Sequence, residues 1–166
     1  RPERRANRSR DAVIIKKEAT EEIWKYMEDE WVPVPGQEDR KLNRHALDPF
    51  LRMREQAKAE GVDLVISSSH RLRETAERNA ARANNPNAVA SFSAHSLGLA
   101  IDFKLSQPGA EYPEIGTSPM SDVIRMRESP VHKWLHLRGE EFGWYPYQNE
   151  PWHWEYNPPN FRDVYF

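Results

Sequence analysis

The chain has 166 residues, the size of one domain, and 30% of its residues are charged against 38% that are hydrophobic. Six Trp, six Tyr and six Phe are too many aromatic residues for a disordered chain, so the composition indicates a folded domain. The formal charge of -2 gives no field that would attract nucleic acid or an anionic membrane, and the absence of cysteine excludes disulfides and thiolate metal sites.

The N-terminal segment is basic and polar. Five Arg fall within the first ten residues, and we expect residues 1–17 to form a flexible arm and residues 18–166 to form the domain. The chain has no run of about 18 apolar residues, which predicts no membrane span. No apolar segment follows Arg1 and Pro2, so we expect no signal peptide here and interpret the chain as a processed protein or an excised domain.

Two segments before residue 62 have apolar residues at helical spacing. The first runs from Glu18 to Trp31 and is followed by prolines that would end a helix. The second runs from about Leu47 to Glu60 and ends at Gly61. Both patterns predict amphipathic helices.

The middle of the chain alternates predicted strands with loops. A short apolar run over residues 62–67 predicts a buried strand, and residues 73–81 favour a helix. Residues 84–93 are rich in Asn, Ala and Ser and predict a loop, which leads into a second short strand over residues 97–103. Pro and Gly are frequent in residues 106–121, so we predict an irregular flap there.

The C-terminal third combines a helix with a strand. Ser129 followed by Pro130 is a good N-cap and first-turn pair, which predicts a helix from Pro130 to about Glu141. Aromatic and polar residues alternate from Trp152 to Tyr156, as is typical of a half-buried strand. Mixed helices and short strands without internal repeats predict a single α+β domain, with a small antiparallel sheet and helices packed around it.

Two short segments contain residues that can bind a metal. His95 precedes Asp102 by seven residues, and a loop that passes into a strand brings both side chains to one point. On this segment alone, a loop histidine and a solvent-facing carboxylate explain the pattern equally well. His153 supplies a third ligand, which completes the protein ligand set of a catalytic zinc that keeps its fourth position for water.

Glu150 is the natural proton acceptor for such a water. Residues three apart in an ideal strand face opposite sides, so Glu150 and His153 share a site only if Pro151 marks a bend. Strand alternation places Glu155 on the same face as His153. Its side chain could equally point past the metal to solvent or to a basic partner, and we assign it no catalytic role.

A pair of histidines on the predicted C-terminal helix is a competing site. His132 and His136 are four residues apart and share one face, which is the geometry of zinc ligands in many metalloproteases. Lys133 stands where those proteins have Glu, and a cation beside zinc is unfavourable. We therefore expect these histidines to lie on the surface or in helix packing, and we assign neither His45 nor His70 to metal.

The two metal-binding segments together resemble the zinc D-alanyl-D-alanine carboxypeptidases and dipeptidases, the group of the vancomycin-resistance peptidases and related phage lysins. The family pattern of Ser, His, Gly, Ala and Asp matches residues 93, 95, 98, 100 and 102, and its Glu-x-x-His matches Glu150 and His153. The resemblance extends from about Leu47 to Tyr156. This family is structurally similar to lysostaphin-type peptidases and the hedgehog signalling domain.

A third family element, Ser-x-x-Arg, is present as Ser68-Ser69-His70-Arg71. The resemblance implies that the Arg71 guanidinium stabilises the oxyanion of the tetrahedral intermediate. Many relatives have Gly and Tyr where this chain has Ser69 and His70, so the side chains beside the arginine differ. The resemblance also implies that Ser93 hydrogen-bonds the substrate, although bracing the metal loop is an equal alternative.

Aromatic residues are concentrated around Glu150. Core packing is one explanation for them, and lining the substrate groove is the other. Among them, Trp152 is the residue that we predict to contact substrate.

The resemblance implies Zn²⁺ as cofactor and a peptidoglycan stem peptide as substrate. D,D-carboxypeptidase activity is the first expectation, and L,D-carboxypeptidase or L-alanyl-D-glutamate endopeptidase activity are the alternatives. We expect a monomer that acts in the periplasm or outside the cell, as a secreted enzyme, a phage lysin or an antibacterial effector. A non-catalytic zinc-containing binding module is the alternative of another class. Glu150 and Arg71 argue against it, because a structural zinc needs neither a base nor an oxyanion partner.

Overall fold

The computed structural model describes residues 30–72, 75, 78–79, 94–113, 119–147 and 149–159. This part of the chain contains six strands and three α-helices with defined bounds, besides the helical positions 75, 78 and 79. The strands are β1 (Trp31–Val34), β2 (Gln37–Asn43), β3 (Ile66–Ser68), β4 (Ala100–Phe103), β5 (Trp144–Tyr147) and β6 (Glu150–Tyr156). The helices are α1 (Arg44–Ala59), α2 (Met120–Met126) and α3 (Pro130–Arg138), and a 3₁₀ turn (Gly139–Phe142) follows α3.

A four-stranded antiparallel sheet forms the centre of the described fold. Its strand order is β3-β4-β6-β5, while β1 and β2 pair as a separate antiparallel hairpin. Strands β4 and β6 are neighbours, and Asp102 lies directly opposite His153. The predicted α+β domain with a small antiparallel sheet is confirmed.

The two faces of the central strands have different tasks. Ile101 and Phe103 of β4 belong to the buried core, and Phe103 lies 6.2 Å from the Trp154 ring and 6.1 Å from the Phe50 ring of α1, measured between centroids. Because side chains alternate along a strand, Asp102 projects to the opposite face. One face of the sheet therefore packs against the hydrophobic core, and the opposite face carries polar side chains.

Helix α1 begins three residues earlier than the predicted Leu47. Asn43 is its N-cap, and its Oδ1 accepts a hydrogen bond from the backbone N–H of His45 at 3.0 Å. The helix ends before Gly61, which has a φ of 86°. A left-handed residue after the last turn is the usual helix stop, so this end agrees with the prediction.

The helix predicted over residues 18–31 is wrong at its last two residues, since Glu30 lies in a turn and Trp31 in a strand. Trp31 opens strand β1 and pairs with Asn43, and its ring lies 5.2 Å from the His70 ring. These tertiary contacts override the helical spacing of the sequence. Residues 18–29 of this prediction, and the predicted arm at residues 1–17, lie outside the described residues.

The two strands predicted in the middle of the chain are present but start later. The run predicted at 62–67 forms β3 only from Ile66, since Val62 still donates its N–H to the carbonyl of Ala57 at the end of α1. The strand predicted at 97–103 begins at Ala100, because residues 94–98 form a turn. In both places the residues before the strand belong to a preceding helix end or turn, so the strand begins later than predicted.

Other predicted segments are only partly described. Of residues 73–81, positions 75, 78 and 79 are described and are helical, and the loop predicted at 84–93 lies outside the described residues. The predicted flap is irregular from 106 to 113, apart from a bridge between Gln107 and Ala110, and α2 begins at Met120. The predicted helix from Pro130 is α3, whose final turn tightens into the 3₁₀ turn. No described helix has the length and apolar character that crossing a bilayer requires.

Candidate metal centre

Three side chains converge on the polar face of β4 and β6. They are His95, Asp102 and His153, and one ligand atom of each lies within 4.8 Å of the others. Oδ1 of Asp102 lies 3.2 Å from Nε2 of His95 and 2.9 Å from Nδ1 of His153. All three residues are buried. Within the described part of the chain, this is the one group of three or more such side chains that could hold a metal ion.

His95 is held by the segment that follows β3. Its Nδ1 lies 2.6 Å from the carbonyl oxygen of Ser69, so Nδ1–H is the donor and Nε2 faces Asp102. The backbone N–H of Arg71 donates to the carbonyl of His95 at 3.0 Å. These bonds orient the imidazole for metal binding through Nε2.

Gly98 allows the metal loop to approach the rest of the fold. Its φ is 70°, and a Cβ at this position would lie 2.7 Å from the backbone nitrogen of Asn43 and 2.7 Å from the Trp31 ring. The backbone N–H of Asn43 donates to the Gly98 carbonyl at 2.8 Å. Only glycine fits both the left-handed conformation and the close approach.

Glu155 is a partner of the metal ligand His153. Its Oε1 lies 2.9 Å from Nε2 of His153, while Nδ1 of the same ring faces Asp102. Histidines that bind zinc typically donate their second nitrogen to a carboxylate of this kind. The sequence-based prediction left Glu155 without a role, although its position two residues after His153 in a strand was a signal for the contact.

The charges of the centre are strongly coupled. Burial alone would raise the pKa of Asp102, but the charges and hydrogen bonds of His95 and His153 outweigh burial and hold this pKa far below its usual range. Burial alone would lower the pKa of His153, whereas the carboxylates of Asp102 and Glu155 outweigh it and raise the pKa to about 10. In the metal-free protein His153 therefore holds a proton that a metal ion must displace.

The Glu150 carboxylate interacts electrostatically with His95, Asp102 and His153, and the Arg71 guanidinium interacts with Asp102 and Glu150. Burial raises the pKa of Glu150, and the charges of His153 and Asp102 also act on this carboxylate. Burial lowers the pKa of Arg71, and the nearby carboxylates of Asp102 and Glu150 oppose this shift. The predicted base and the predicted oxyanion partner thus lie in one electrostatic environment with the metal ligands.

Strand β6 has the irregularity that the spacing of Glu150 and His153 requires. Pro146 of β5 pairs with Trp154, but the next residue, Tyr147, pairs with Glu150. Residues 151–153 therefore form a bulge between the two pairs, and a bulge interrupts the alternation of faces. The bend predicted at Pro151 takes this form.

The histidines of α3 do not belong to the metal group. Nδ1 of His132 donates to the carbonyl of Pro151 at 3.0 Å, and its ring contacts Trp154 at a centroid distance of 5.2 Å. His136 stacks on His132 at 5.9 Å. The prediction that this pair serves helix packing is confirmed for His132, and its bond to the bulge was not foreseen.

Two predicted substrate contacts stay predictions. Ser93 lies outside the described residues. Trp152 is buried in the hydrophobic core, with 5% of its surface exposed. Neither position settles how a substrate would be held.

The donor set fits zinc. Two imidazole nitrogens and one carboxylate oxygen are the protein ligands of many catalytic zinc sites, which leave a fourth position open. A purely hard cation such as Mg²⁺ or Ca²⁺ prefers oxygen ligands. The group formed by His95, Asp102 and His153 can therefore hold a zinc ion.

The described fold is similar to those of solved peptidoglycan enzymes. VanYB in complex with D-alanine-D-alanine matches with a TM-score of 0.53 and 20% identity, over 76% of this chain and 76% of VanYB. The LdcB LD-carboxypeptidase matches with a TM-score of 0.55 and 23% identity, over 80% of this chain and 68% of LdcB. The vancomycin-resistance D,D-dipeptidase VanXYg, bound to a D-Ala-D-Ala phosphinate analogue, matches with a TM-score of 0.55 and 19% identity, over 81% of this chain and 58% of VanXYg. At these identities the similarity shows a shared fold.

The sequence itself gives the family. A comparison with curated protein sequences finds no significant match. The sequence model of the VanY family, described as D-alanyl-D-alanine carboxypeptidase, matches residues 39–159, which include the three residues that could hold a metal ion as well as Glu150 and Arg71. The family resemblance drawn from the motifs is confirmed, and the chain belongs to the VanY family of peptidoglycan peptidases.

Proposed function

We propose that this chain is a zinc-dependent D,D-carboxypeptidase that removes the terminal D-alanine from peptidoglycan stem peptides. The observation that carries the proposal is the partly buried Glu150 carboxylate, whose pKa responds to the charges of His153, Asp102 and His95, the three residues that can hold a metal ion. A zinc that only supports a fold has no use for such a carboxylate. The family description favours D-alanyl-D-alanine as the substrate terminus.

Each residue of the site has one chemical task in this proposal. A bound zinc would supply Lewis acidity, which polarises the scissile carbonyl and lowers the pKa of a water toward about 7. Glu150 accepts the proton of the attacking water and passes it to the leaving amine. The Arg71 guanidinium donates hydrogen bonds to the oxyanion that develops on the carbonyl. His95, Asp102 and His153 hold the metal.

The alternative activities follow from the similar structures. LdcB is an LD-carboxypeptidase and VanXYg is a D,D-dipeptidase, so one fold accepts different termini. L,D-carboxypeptidase activity is therefore the second candidate, and L-alanyl-D-glutamate endopeptidase activity is a further one that the resemblance to the wider family implies. A peptidoglycan substrate would place the working site in the periplasm or outside the cell.

Mass spectrometry of purified muropeptides names the bond that is cleaved. The zinc-loaded protein is expected to remove one alanine from pentapeptide stems and to leave tetrapeptide stems intact. Loss of alanine from tetrapeptide stems would instead establish L,D-carboxypeptidase activity, and release of the whole stem after its first residue would establish endopeptidase activity.

The Glu150→Gln variant is the matched control for catalysis. It keeps the size of the side chain and the metal ligands but removes the base, so turnover should vanish while the zinc content stays equal to that of the wild type. Full turnover by this variant would refute the role of Glu150. A wild-type protein that binds zinc tightly, with a fourth protein ligand, and cleaves no muropeptide would favour the binding module.

A further inference from the structure

The bulge of β6 is fixed by a side chain from another element. His132, in the first turn of α3, donates from Nδ1 to the carbonyl oxygen of Pro151 at 3.0 Å. Pro151 is the residue after Glu150, and it lies in the segment that is out of register with β5. The hydrogen bond therefore acts on the part of the backbone that separates the proposed base from the ligand His153.

The backbone around Pro151 has little freedom apart from one dihedral angle. The proline ring fixes its own φ near −65°. The residue before a proline is restricted to extended conformations, which limits the ψ of Glu150. The soft angle that remains is the ψ of Pro151, and this angle sets the direction of the Pro151 carbonyl. A hydrogen bond to that carbonyl consequently fixes the bulge.

The side chain of His132 is itself held in one orientation. Its ring packs edge-on against Trp154, a fully buried residue of β6, and stacks with His136 on the same helix. Burial lowers the pKa of His132, while its hydrogen bond to Pro151 opposes the shift. In the neutral ring the carbonyl acceptor requires the proton to be on Nδ1.

We propose that His132 is a positioning residue, which holds the Pro151 carbonyl and through it keeps the Glu150 carboxylate at the distance from the metal that catalysis requires. The inference rests on the proposed role of Glu150 as general base. It assigns the α3 histidine a task in the reaction without contact to metal or substrate. A displacement of a catalytic group by about 1 Å can lower a rate about 100-fold.

Three substitutions of His132 separate hydrogen bonding from packing. His132→Leu removes the donor, His132→Asn keeps an N–H near the Nδ1 position, and His132→Gln places its N–H near the Nε2 position. Lys133→Leu is the matched control, because this exposed residue lies next to His132 on the same helix. Circular dichroism and zinc content verify that each variant is folded and loaded.

The measurement is kcat and KM for D-alanine release from purified pentapeptide muropeptides. We expect His132→Leu and His132→Gln to lower kcat about 10- to 100-fold, with KM and zinc content within about twofold of the wild type. His132→Asn should recover most of the lost kcat, and Lys133→Leu should change neither constant.

Three results would overturn the inference. They are an unchanged kcat in His132→Leu, equal losses in the Asn and Gln variants, and a loss of kcat that follows a loss of zinc. If His132→Leu fails to fold, the difference in kcat between the His132→Asn and His132→Gln variants tests the inference instead. Failure of the proposed function gives a different result. In that case the wild-type protein releases no D-alanine, and neither does the Glu150→Gln variant.

Discussion

At the scale of single residues, the metal centre joins carboxylates and imidazoles in an uninterrupted chain of contacts. Glu155 meets His153, His153 meets Asp102, and Asp102 meets His95, which in turn bonds to the Ser69 carbonyl. Every ring nitrogen in this chain has a defined neighbour. Affinity for the metal should therefore depend on residues that do not touch it.

Glu155→Ala is expected to weaken zinc binding about 10- to 100-fold, which is the usual effect of removing the carboxylate behind a zinc-bound histidine. Without this acceptor, the His153 ring loses the contact that fixes its orientation. Competition with a chromogenic chelator measures the dissociation constant. Glu141→Ala is the control, because this exposed carboxylate pairs with Arg138. Equal affinities in both variants would contradict the role of Glu155.

Glu150→Gln is expected to stabilise the metal-free protein at pH 7. Folding raises the pKa of Glu150 above its ordinary 4.5, so the folded state binds this proton more tightly than the unfolded state does. The wild-type protein therefore loses stability as the pH rises from below 4.5 through the pKa that Glu150 has in the folded state. A glutamine does not ionise, so the variant keeps this stability.

Thermal unfolding of the metal-free proteins tests this difference. The Tm of the variant should exceed that of the wild type at pH 7. The difference in Tm between the two proteins should decrease as the pH is lowered toward 4.5. Glu128→Gln, at an exposed position, should show no such gain. A variant less stable than the wild type at pH 7 would contradict the raised pKa of Glu150 in the folded protein.

At the scale of elements, the site depends on where turns and bulges interrupt regular structure. The turn at residues 94–98 holds His95, strand β4 holds Asp102, and the bulge of β6 separates Glu150 from His153. The turn requires a glycine, and the bulge carries a proline. These two residue types mark the irregular points in the sequence as well.

Gly98→Ala is expected to destabilise the fold by about 2–5 kcal/mol, from left-handed strain of about 1–2 kcal/mol and overpacking of about 1–3 kcal/mol. The clash arises because the new Cβ would lie 2.7 Å from the backbone of Asn43 and from the Trp31 ring. Gly61→Ala is the matched control, because it has a φ of 86° and no atom within 4 Å of its Cβ position. Urea denaturation of both variants compares them, and equal losses would mean that the close approach has no cost.

The sequence predicted those elements and residues whose pattern is local. Spacing alone indicated α1, α3 and β6, and the motifs indicated the metal ligands and Glu150. Trp31 was misplaced because its pairing partner lies in β2, far from the helical pattern that precedes it. The contact of His132 with the bulge joins two elements that are distant in sequence. A contact between two elements that are distant in sequence cannot be predicted from the residue pattern of either element alone.

At the scale of the whole molecule, metal binding is coupled to protons and to stability. The pKa of about 10 for His153 means that zinc must displace its proton at pH 7. A ligand that binds only the folded state also adds stability, about 4 kcal/mol at a thousandfold excess over its Kd. Chelation of the metal should therefore lower the Tm.

Zinc uptake by the metal-free protein is expected to release a proton from His153, so the apparent affinity should rise with pH between about 6 and 9. Calorimetric titrations in buffers with different heats of ionisation count the released protons. His153→Ala should show a lower count together with a loss of affinity. A wild-type affinity that does not change over this pH range would contradict the protonated state of the metal-free site.

Asn43 connects the loop that carries His95 to helix α1, which lies outside the candidate metal site. Its Oδ1 caps α1, its Nδ2 donates to the Leu97 carbonyl at 3.3 Å, and its backbone N–H donates to Gly98. If the loop loosens when zinc leaves, the residue that begins α1 loses two of its partners. Amide protons in the first turn of that helix should then exchange with solvent faster in the metal-free protein, while those in its last turn should not. Occupancy of the metal site would thus be readable from hydrogen exchange at a helix that contributes no ligand.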